Sequence, residues 1–307
     1  MRPAGPPVPA AALGPGLLLA AAGAIAFSGK AIIVKLAYRY GVDAVTLIMY
    51  RMLFALPLFA ALAWWAGRGK PPLTRRDALV ISGLGFSGYY LASYLDFLGL
   101  QYISASLERL ILYLNPTLVL LFGVLFFGQK VRAQQLLALA VSYAGVLLVF
   151  GHELTITGPY TALGAALVFG SAVSYAVYLV YSGQEVQRLG ALRLTGWATL
   201  VACVLCLLQF LLLRPLSAAV VAPEVLGLSV LNATLCTFAP VVMVMLAIER
   251  VGATMTAQVG MIGPLSTVLL GVWLLDESLN AWIVAGTVLV LLGVGLLARV
   301  RPNIGEA

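Results

Sequence analysis

Long apolar runs separated by short polar breaks are the dominant pattern of this chain from one end to the other. The runs predict helices over residues 15–37, 43–66, 77–100, 104–127 and 131–150, then 159–182, 192–213, 224–248, 253–275 and 279–298. A helix of about 20 apolar residues crosses a hydrocarbon core of about 30 Å, so each run is long enough to span a membrane. The breaks are built from helix-stopping residues: Gly67-Arg68-Gly69-Lys70-Pro71-Pro72, Gly151-His152-Glu153, Thr157-Gly158-Pro159 and Asp276-Glu277. The pattern predicts an all-α integral membrane protein with ten transmembrane helices. Its loops are too short to hold a soluble domain.

Composition agrees. Of the 307 residues, 62% are hydrophobic and 9% charged, against about 25% charged in soluble domains. Arg2 followed by the apolar stretch 10–27 has the look of a secretory signal. The run continues through Ile32 and Val34 to Leu36, however, and is read as the first transmembrane helix. The net charge of +7 sits mainly in the short loops and reports topology rather than a nucleic-acid partner. Arg2, Arg68, Lys70, Arg75, Arg76, Lys130, Arg132, Arg188, Arg193, Arg250, Arg299 and Arg301 fall on one side, and chiefly Lys35, Arg39 and Arg214 on the other. Basic residues are retained inside, so both tails, 1–14 and 299–307, are expected in the cytoplasm and the chain in the inner membrane.

The chain also matches itself. At an offset of 148 residues, Ile103-Ser-Ala-Ser-Leu107 lies over Val251-Gly-Ala-Thr-Met255, Pro116 over Pro264, Gly123 over Gly271 and Gly145 over Gly293. Phe27 falls on Tyr175. Two units follow, 15–150 and 159–298. Each holds an odd number of spans, so the second enters the membrane from the opposite side. Such inverted repeats recur in secondary transporters that bind substrate between the halves.

These residues carry a resemblance to the EamA branch of the drug/metabolite transporter superfamily, over essentially the whole chain. The matching features are Pro116 and Pro264, Gly123 and Gly271, Asp276-Glu277 before the last helix with Gly286 and Gly293, and Arg51 in the second helix. One departure is Gly128-Gln129, where the family's units often carry Gly-Glu. The resemblance implies export or exchange of metabolites.

Setting aside charges at span ends, such as Lys35 and Asp77, which can reach the interface, five ionisable residues lie inside the predicted spans: Lys30, Arg51, Asp96, Glu108 and Arg109. A charge at mid-membrane costs about 2.5 to 3.5 kcal/mol even on lenient scales, so each requires a partner or water. All five belong to the first unit and to the outer leaflet. They read either as an ion-paired clamp of the first four helices or as a transport site in which Asp96 or Glu108 carries a proton. Arg109 is placed to pair with Asp96 across the short connection, leaving Glu108 to face a central cavity. Tyr94, Tyr113, Tyr175 and Tyr178 are deep enough to line such a cavity. Asn115-Pro116 and Gly263-Pro264 fall mid-helix, where proline removes a backbone hydrogen bond. Paired interruptions of this kind mark binding regions or plain packing kinks.

The absences narrow the class. Cys203, Cys206 and Cys236 all lie in apolar runs, and His152 is the only histidine. Neither a metal centre nor a Ser/His machinery can be assembled from them, and Ser28-Gly29-Lys30 is too small a fragment of a phosphate loop. No cofactor, metal or enzymatic activity is expected. The expectation is proton-coupled export of a small organic metabolite, with an uncoupled channel or facilitator as the alternative. Mixed charge signs would tolerate a zwitterion such as an amino acid. The sequence leaves monomer and homodimer both open.

Overall fold

The computed structural model describes residues 10–127, 133–156, 159–244, 246–247, 250, 259 and 262–299. Among these residues the chain is helical and carries no strand. In chain order the helices are α1 (Ala10–Tyr38), α2 (Ala44–Gly67), and α3, made of Arg75–Leu84, a π-helical turn Gly85–Leu91, and Ala92–Gly99. Then come α4 (Ala105–Leu112 and, past a break, Asn115–Phe127), α5 (Ala133–Ile156), α6 (Thr161–Leu189) and α7 (Ala191–Leu213). Last are α8, with a second π-helical turn Thr234–Phe238 after Pro223–Ala233, α9 (Ile262–Leu275) and α10 (Ala281–Arg299).

Helices α1 to α8 each hold a stretch long and apolar enough to cross a membrane, whereas α9 and α10 carry the shorter apolar stretches Leu265–Leu275 and Ala281–Gly293. Most of the first part of the expected ninth span, and Lys130, Arg132, Gln129 and both chain ends, lie outside the described residues. The expected fourth span, 104–127, is not one smooth helix. The helix opens at Tyr113–Leu114, where Leu114 N–H turns back to Ile111 O and Thr117 N–H to Leu114 O. Pro116 has no N–H to continue the ladder, which accounts for the break. The third and eighth spans also differ from smooth helices: each contains a wide π turn. At the 148-residue offset the first wide turn, 85–91, falls on 233–239, and the second occupies 234–238.

The packing repeats itself in the same way. Helix α1 packs on α8 and α9, α2 on α7 and α8, α3 on α6 and α7, α4 on α6 and α9, and α5 on α10. Replacing every helix by the one five places along maps this set onto itself: α1–α8 becomes α6–α3, and α2–α8 becomes α7–α3. Small residues make the α5–α10 crossing possible. A Cβ on Gly145 would stand 2.6 Å from Gly286 O, and one on Gly293 2.7 Å from Ala138 O. These two contacts are again each other's repeat.

Loop contacts sort into two faces. On one, Asp43 pairs with Arg214 at 3.0 Å, Arg39 donates to Leu275 O at 3.0 Å, and Asn280 meets His152 at 2.9 Å. On the other, Arg188 pairs with Asp77 and Arg193 donates to Pro71 O at 2.8 Å. Asp77, at its span end, is buried on this loop face and bonded to Thr74 and to Arg188. Gly41 and Gly190 make the α1–α2 and α6–α7 turns with φ of 74° and 84°, a region costly for side chains bearing a Cβ. The core around the first four helices is built from Ile32, Val34, Leu47, Met52, Phe97 and Cys206. The three cysteines are free and buried, as their apolar settings predict.

Candidate functional site

The expected intramembrane charges meet, though not in the expected pairs. Lys30 of α1 reaches across to α3 and α4. Its ammonium lies 2.5 Å from Asp96 Oδ2 and 3.3 Å from Glu108 Oε1. Both acids are 1% exposed, whereas the Lys30 side chain is 18% exposed. Helical rise explains why these residues share one level. Lys30 lies eight residues before the end of α1, Asp96 three before the end of α3, and Glu108 three after the start of α4. At about 1.5 Å per residue all three stand within about 12 Å of the same face.

The expected Arg109–Asp96 pair does not form. Helix α1 inserts Lys30 beside Asp96, and Arg109, about 100° further around α4 than Glu108, points the other way. Its Nε donates to Thr267 Oγ1 at 3.0 Å and its guanidinium to Ser28 Oγ at 2.8 Å. Ser28 in turn donates to Gly263 O at 2.8 Å. Arg109 therefore ties the first half to α9 of the second. Glu108 does not look into an open cavity either; it is buried facing Lys30 and Asp96.

Arg51 occupies a separate niche, donating to Ser93 Oγ at 2.8 Å with its guanidinium 4.7 Å above the Phe97 ring. Its charge is held by an aromatic face rather than by a carboxylate.

The expected tyrosines divide. Tyr113 lies beside Gly263, where an added Cβ would come 2.8 Å from its hydroxyl. Tyr94 stacks on Tyr90 within α3. Tyr175 and Tyr178 form a second cluster on α6, stacked at 5.5 Å, and Tyr178 shares a 3.0 Å hydroxyl contact with Tyr89. Tyr178 stands 148 residues after Lys30, so the second half presents an aromatic ring where the first presents an ammonium. The break residues split likewise. Asn115 caps its own helix opening, donating to Leu112 O at 2.7 Å, and Gly263 lends its carbonyl to the Arg109 network. Pro116 and Pro264 lie in the α4 and α9 backbones.

Several participants were not foreseen. Ser28, Ser93 and Thr267 carry the arginine contacts, and small hydroxyls in apolar helices give little sign of this in sequence. Glu277 is the larger omission. Its carboxylate accepts from Ala105 N at 2.7 Å, Ser106 N at 3.3 Å and Ser106 Oγ at 2.6 Å. It thereby satisfies the free N–H groups that open α4, the helix bearing Glu108 and Arg109. Above this contact a surface cavity of about 760 Å³ is bordered by Lys35, Tyr38, Arg39, Ser104 and Glu277.

Asp96 Oδ1 and both oxygens of Glu108 have no hydrogen-bond donor among the described residues. The two carboxyl groups meet at the one Lys30 ammonium, and two carboxylates can only accept. The arrangement can hold a cation, or a proton shared between two acids. Among the described residues no group of His, Cys, Asp and Glu is placed to hold a metal ion.

A helical bundle of membrane-spanning length, doubled in sequence and packing around buried charges, defines a polytopic membrane protein. A model of the EamA-like transporter family matches residues 14–151 and 162–299, and the chain belongs to that family. It is similar to the Bacillus subtilis (strain 168) protein "Uncharacterized transporter YcbK", with 29% identity over 84% of this chain and 84% of that protein. An "Uncharacterized transporter" of Archaeoglobus fulgidus is 25% identical over 91% of this chain and 96% of its own. The Pseudomonas aeruginosa "Chloramphenicol-sensitive protein RarD" is 32% identical over 40% of this chain and 44% of its own. A solved structure titled "Crystal structure of protein" has the same fold, with a TM-score of 0.63 and 18% identity over 92% of this chain and 95% of that one.

Proposed function

We propose that this protein is a secondary active transporter that exports a small organic metabolite in exchange for protons. The observation that carries the reading is the facing pair Asp96 and Glu108, buried, with three oxygens lacking donors. One proton between them would turn two repelling carboxylates into an acid–carboxylate hydrogen bond. The charged and titratable groups around the pair are Lys30 and Tyr38 of α1, Arg51 of α2 and Arg109 of α4, with the Cys236 thiol of α8 facing these cations. Three cations stand against two carboxylates, so protonation of one acid raises the positive excess and loosens the hold on Lys30.

Ten spans in two inverted five-helix halves are part of the same proposal. The interchange of helix contacts and the sorting of loops onto two faces support it, and halves of this kind suit alternating access about a midplane site. The excess of Arg and Lys on one side favours cytoplasmic termini in the inner membrane. The partners are the bilayer and one small solute, with the chain acting as monomer or homodimer.

The test compares the medium of cells expressing wild type with that of cells expressing Glu108→Gln at matched membrane abundance, by untargeted mass spectrometry. A metabolite enriched outside only with wild type, with flux that follows an imposed pH gradient, is the expected result. Saturable flux indifferent to the gradient would remove coupling and leave a facilitator. Chloramphenicol belongs among the added solutes because one relative is a chloramphenicol-sensitive protein.

A further inference from the structure

We infer that the Asp96–Glu108 pair is a binding site for the primary ammonium group of a substrate, and that Lys30 is a tethered stand-in filling it in this conformation. The inference rests on reading this pair as the transport site.

Four observations carry it. First, the site already holds an ammonium, at 2.5 and 3.3 Å from its two acids. Second, the fit is incomplete. Lys30 makes its hydrogen bond to Asp96 Oδ2, while Asp96 Oδ1 and both Glu108 oxygens have no donor among the described residues. An ammonium carries three donors; one free of a stem can centre itself between the acids and serve both. Third, Lys30 is the most exposed member of the site, at 18% side-chain exposure against 2% and 1% for its partners. Its flexible four-carbon stem can swing aside without moving a helix. Fourth, the cavity bordered by Lys35 and Ser104 lies five residues beyond Lys30 and four before Glu108, about 6 to 8 Å along the helices. A solute entering there comes within one or two turns of the acids.

The choice of an ammonium over a metal cation follows from the surroundings. Oxygen-coordinated ions such as calcium and magnesium take about six or more oxygens, whereas this pair supplies four, with Arg109 and Arg51 nearby. Three N–H donors can be shared among the four oxygens that Lys30 leaves on departing.

Exchange of this kind keeps the charge of the site constant. A loaded site holds the substrate's ammonium, and an emptied one takes Lys30 back.

The experiment uses the purified full-length protein in detergent, with thermal midpoints measured in methylammonium, tetramethylammonium or sodium chloride at equal ionic strength. Lys30→Ala is expected to gain a saturable stabilisation from methylammonium. Tetramethylammonium, which has no N–H, and sodium are expected to give none, and wild type to show none with any salt. The gain is expected to vanish in Lys30→Ala/Asp96→Asn. Lys30→Gln, which retains more of the side-chain volume, is the second variant. If either can be purified only in methylammonium, that recovery supports the inference. Equal behaviour in methylammonium and sodium for both variants, including failure in both salts, overturns it, as does an undiminished gain in the double variant. Because the readout is binding, methylammonium stabilisation without any metabolite difference in the medium would keep this inference and remove the export reading. The converse pattern would do the reverse.

Discussion

Glu277 closes on Ser106 across 171 residues of chain, accepting the hydroxyl at 2.6 Å and the Ala105 N–H at 2.7 Å. A carboxylate from the second half thus serves as the N-terminal cap of a helix in the first. Hydrogen bonds to a charged group contribute about 1.5 to 3 kcal/mol each. Glu277→Ala is therefore expected to destabilise the purified protein by about 2 kcal/mol or more, read as a lowered thermal midpoint. Glu277→Asp, one methylene shorter, should recover only part of it. A midpoint unchanged in Glu277→Ala would mean the contact is incidental.

Removing Lys30 while keeping both acids should be costly. Breaking a buried ion pair from one side costs about 3 to 5 kcal/mol, because the remaining charge is left uncompensated. Lys30→Met is expected to fall in that range, and Lys30→Met/Asp96→Asn to recover a large part of the loss. A double variant no better than the single one would show that Lys30 acts through packing.

Gly145 and Gly286 offer a test of the α5–α10 crossing. A Cβ at Gly286 would lie 2.3 Å from Val149 and 2.7 Å from Gly145 O. Overpacking of this kind costs about 1 to 3 kcal/mol, so Gly286→Ala should lower the thermal midpoint. Gly227 has nothing within 4 Å of the same position, and Gly227→Ala in α8 should leave stability unchanged or raise it by up to about 1 kcal/mol through helix propensity. Equal effects at the two glycines would refute close packing at the crossing.

Asp43 makes a prediction about pH. It caps α2 by accepting from Val45 N at 3.0 Å, Thr46 N at 3.3 Å and Thr46 Oγ1 at 2.6 Å, and from Arg214 at 3.0 Å. Burial pushes its carboxyl up, but the Thr46 and Arg214 hydrogen bonds outweigh burial and hold it below its ordinary value. A group depressed on folding stabilises above its unfolded pKa, about 3.9 for aspartate, and loses that contribution as pH falls through the folded value. Asp43→Asn should therefore lower the midpoint at pH 7, and the gap to wild type should narrow below about pH 4. A gap constant with pH would rule out the charged cap.

The membrane class, the doubling and the members of the charge cluster were legible because charges and breaks stand out against a uniformly apolar background. Lys30, Asp96 and Glu108 can be picked from the sequence by that contrast alone. Their pairing was not legible. Asp96 and Arg109 are neighbours across a short connection, which favours them on sequence distance, yet Lys30 reaches across from α1 to both acids. The Glu277–Ser106 contact and the Arg109–Thr267 bond join opposite halves, and only the packing of α4 on α9 brings them together. The wide turns in α3 and α8 leave a trace no stronger than a few glycines and small polar residues.

The wide turn at Gly85–Leu91 sits five residues ahead of Asp96 on the same helix. A π turn accommodates one residue more than α geometry allows, and one residue corresponds to about 100° of rotation. Shortened by one residue into an ordinary helix, α3 would swing Asp96 around its axis and away from Lys30. The turn is thus the indexing device that aims the acid. Its counterpart recurs at Thr234–Phe238, where the position 148 residues after Asp96 is Val244, so the same dial aims a charge in one half and an apolar side chain in the other.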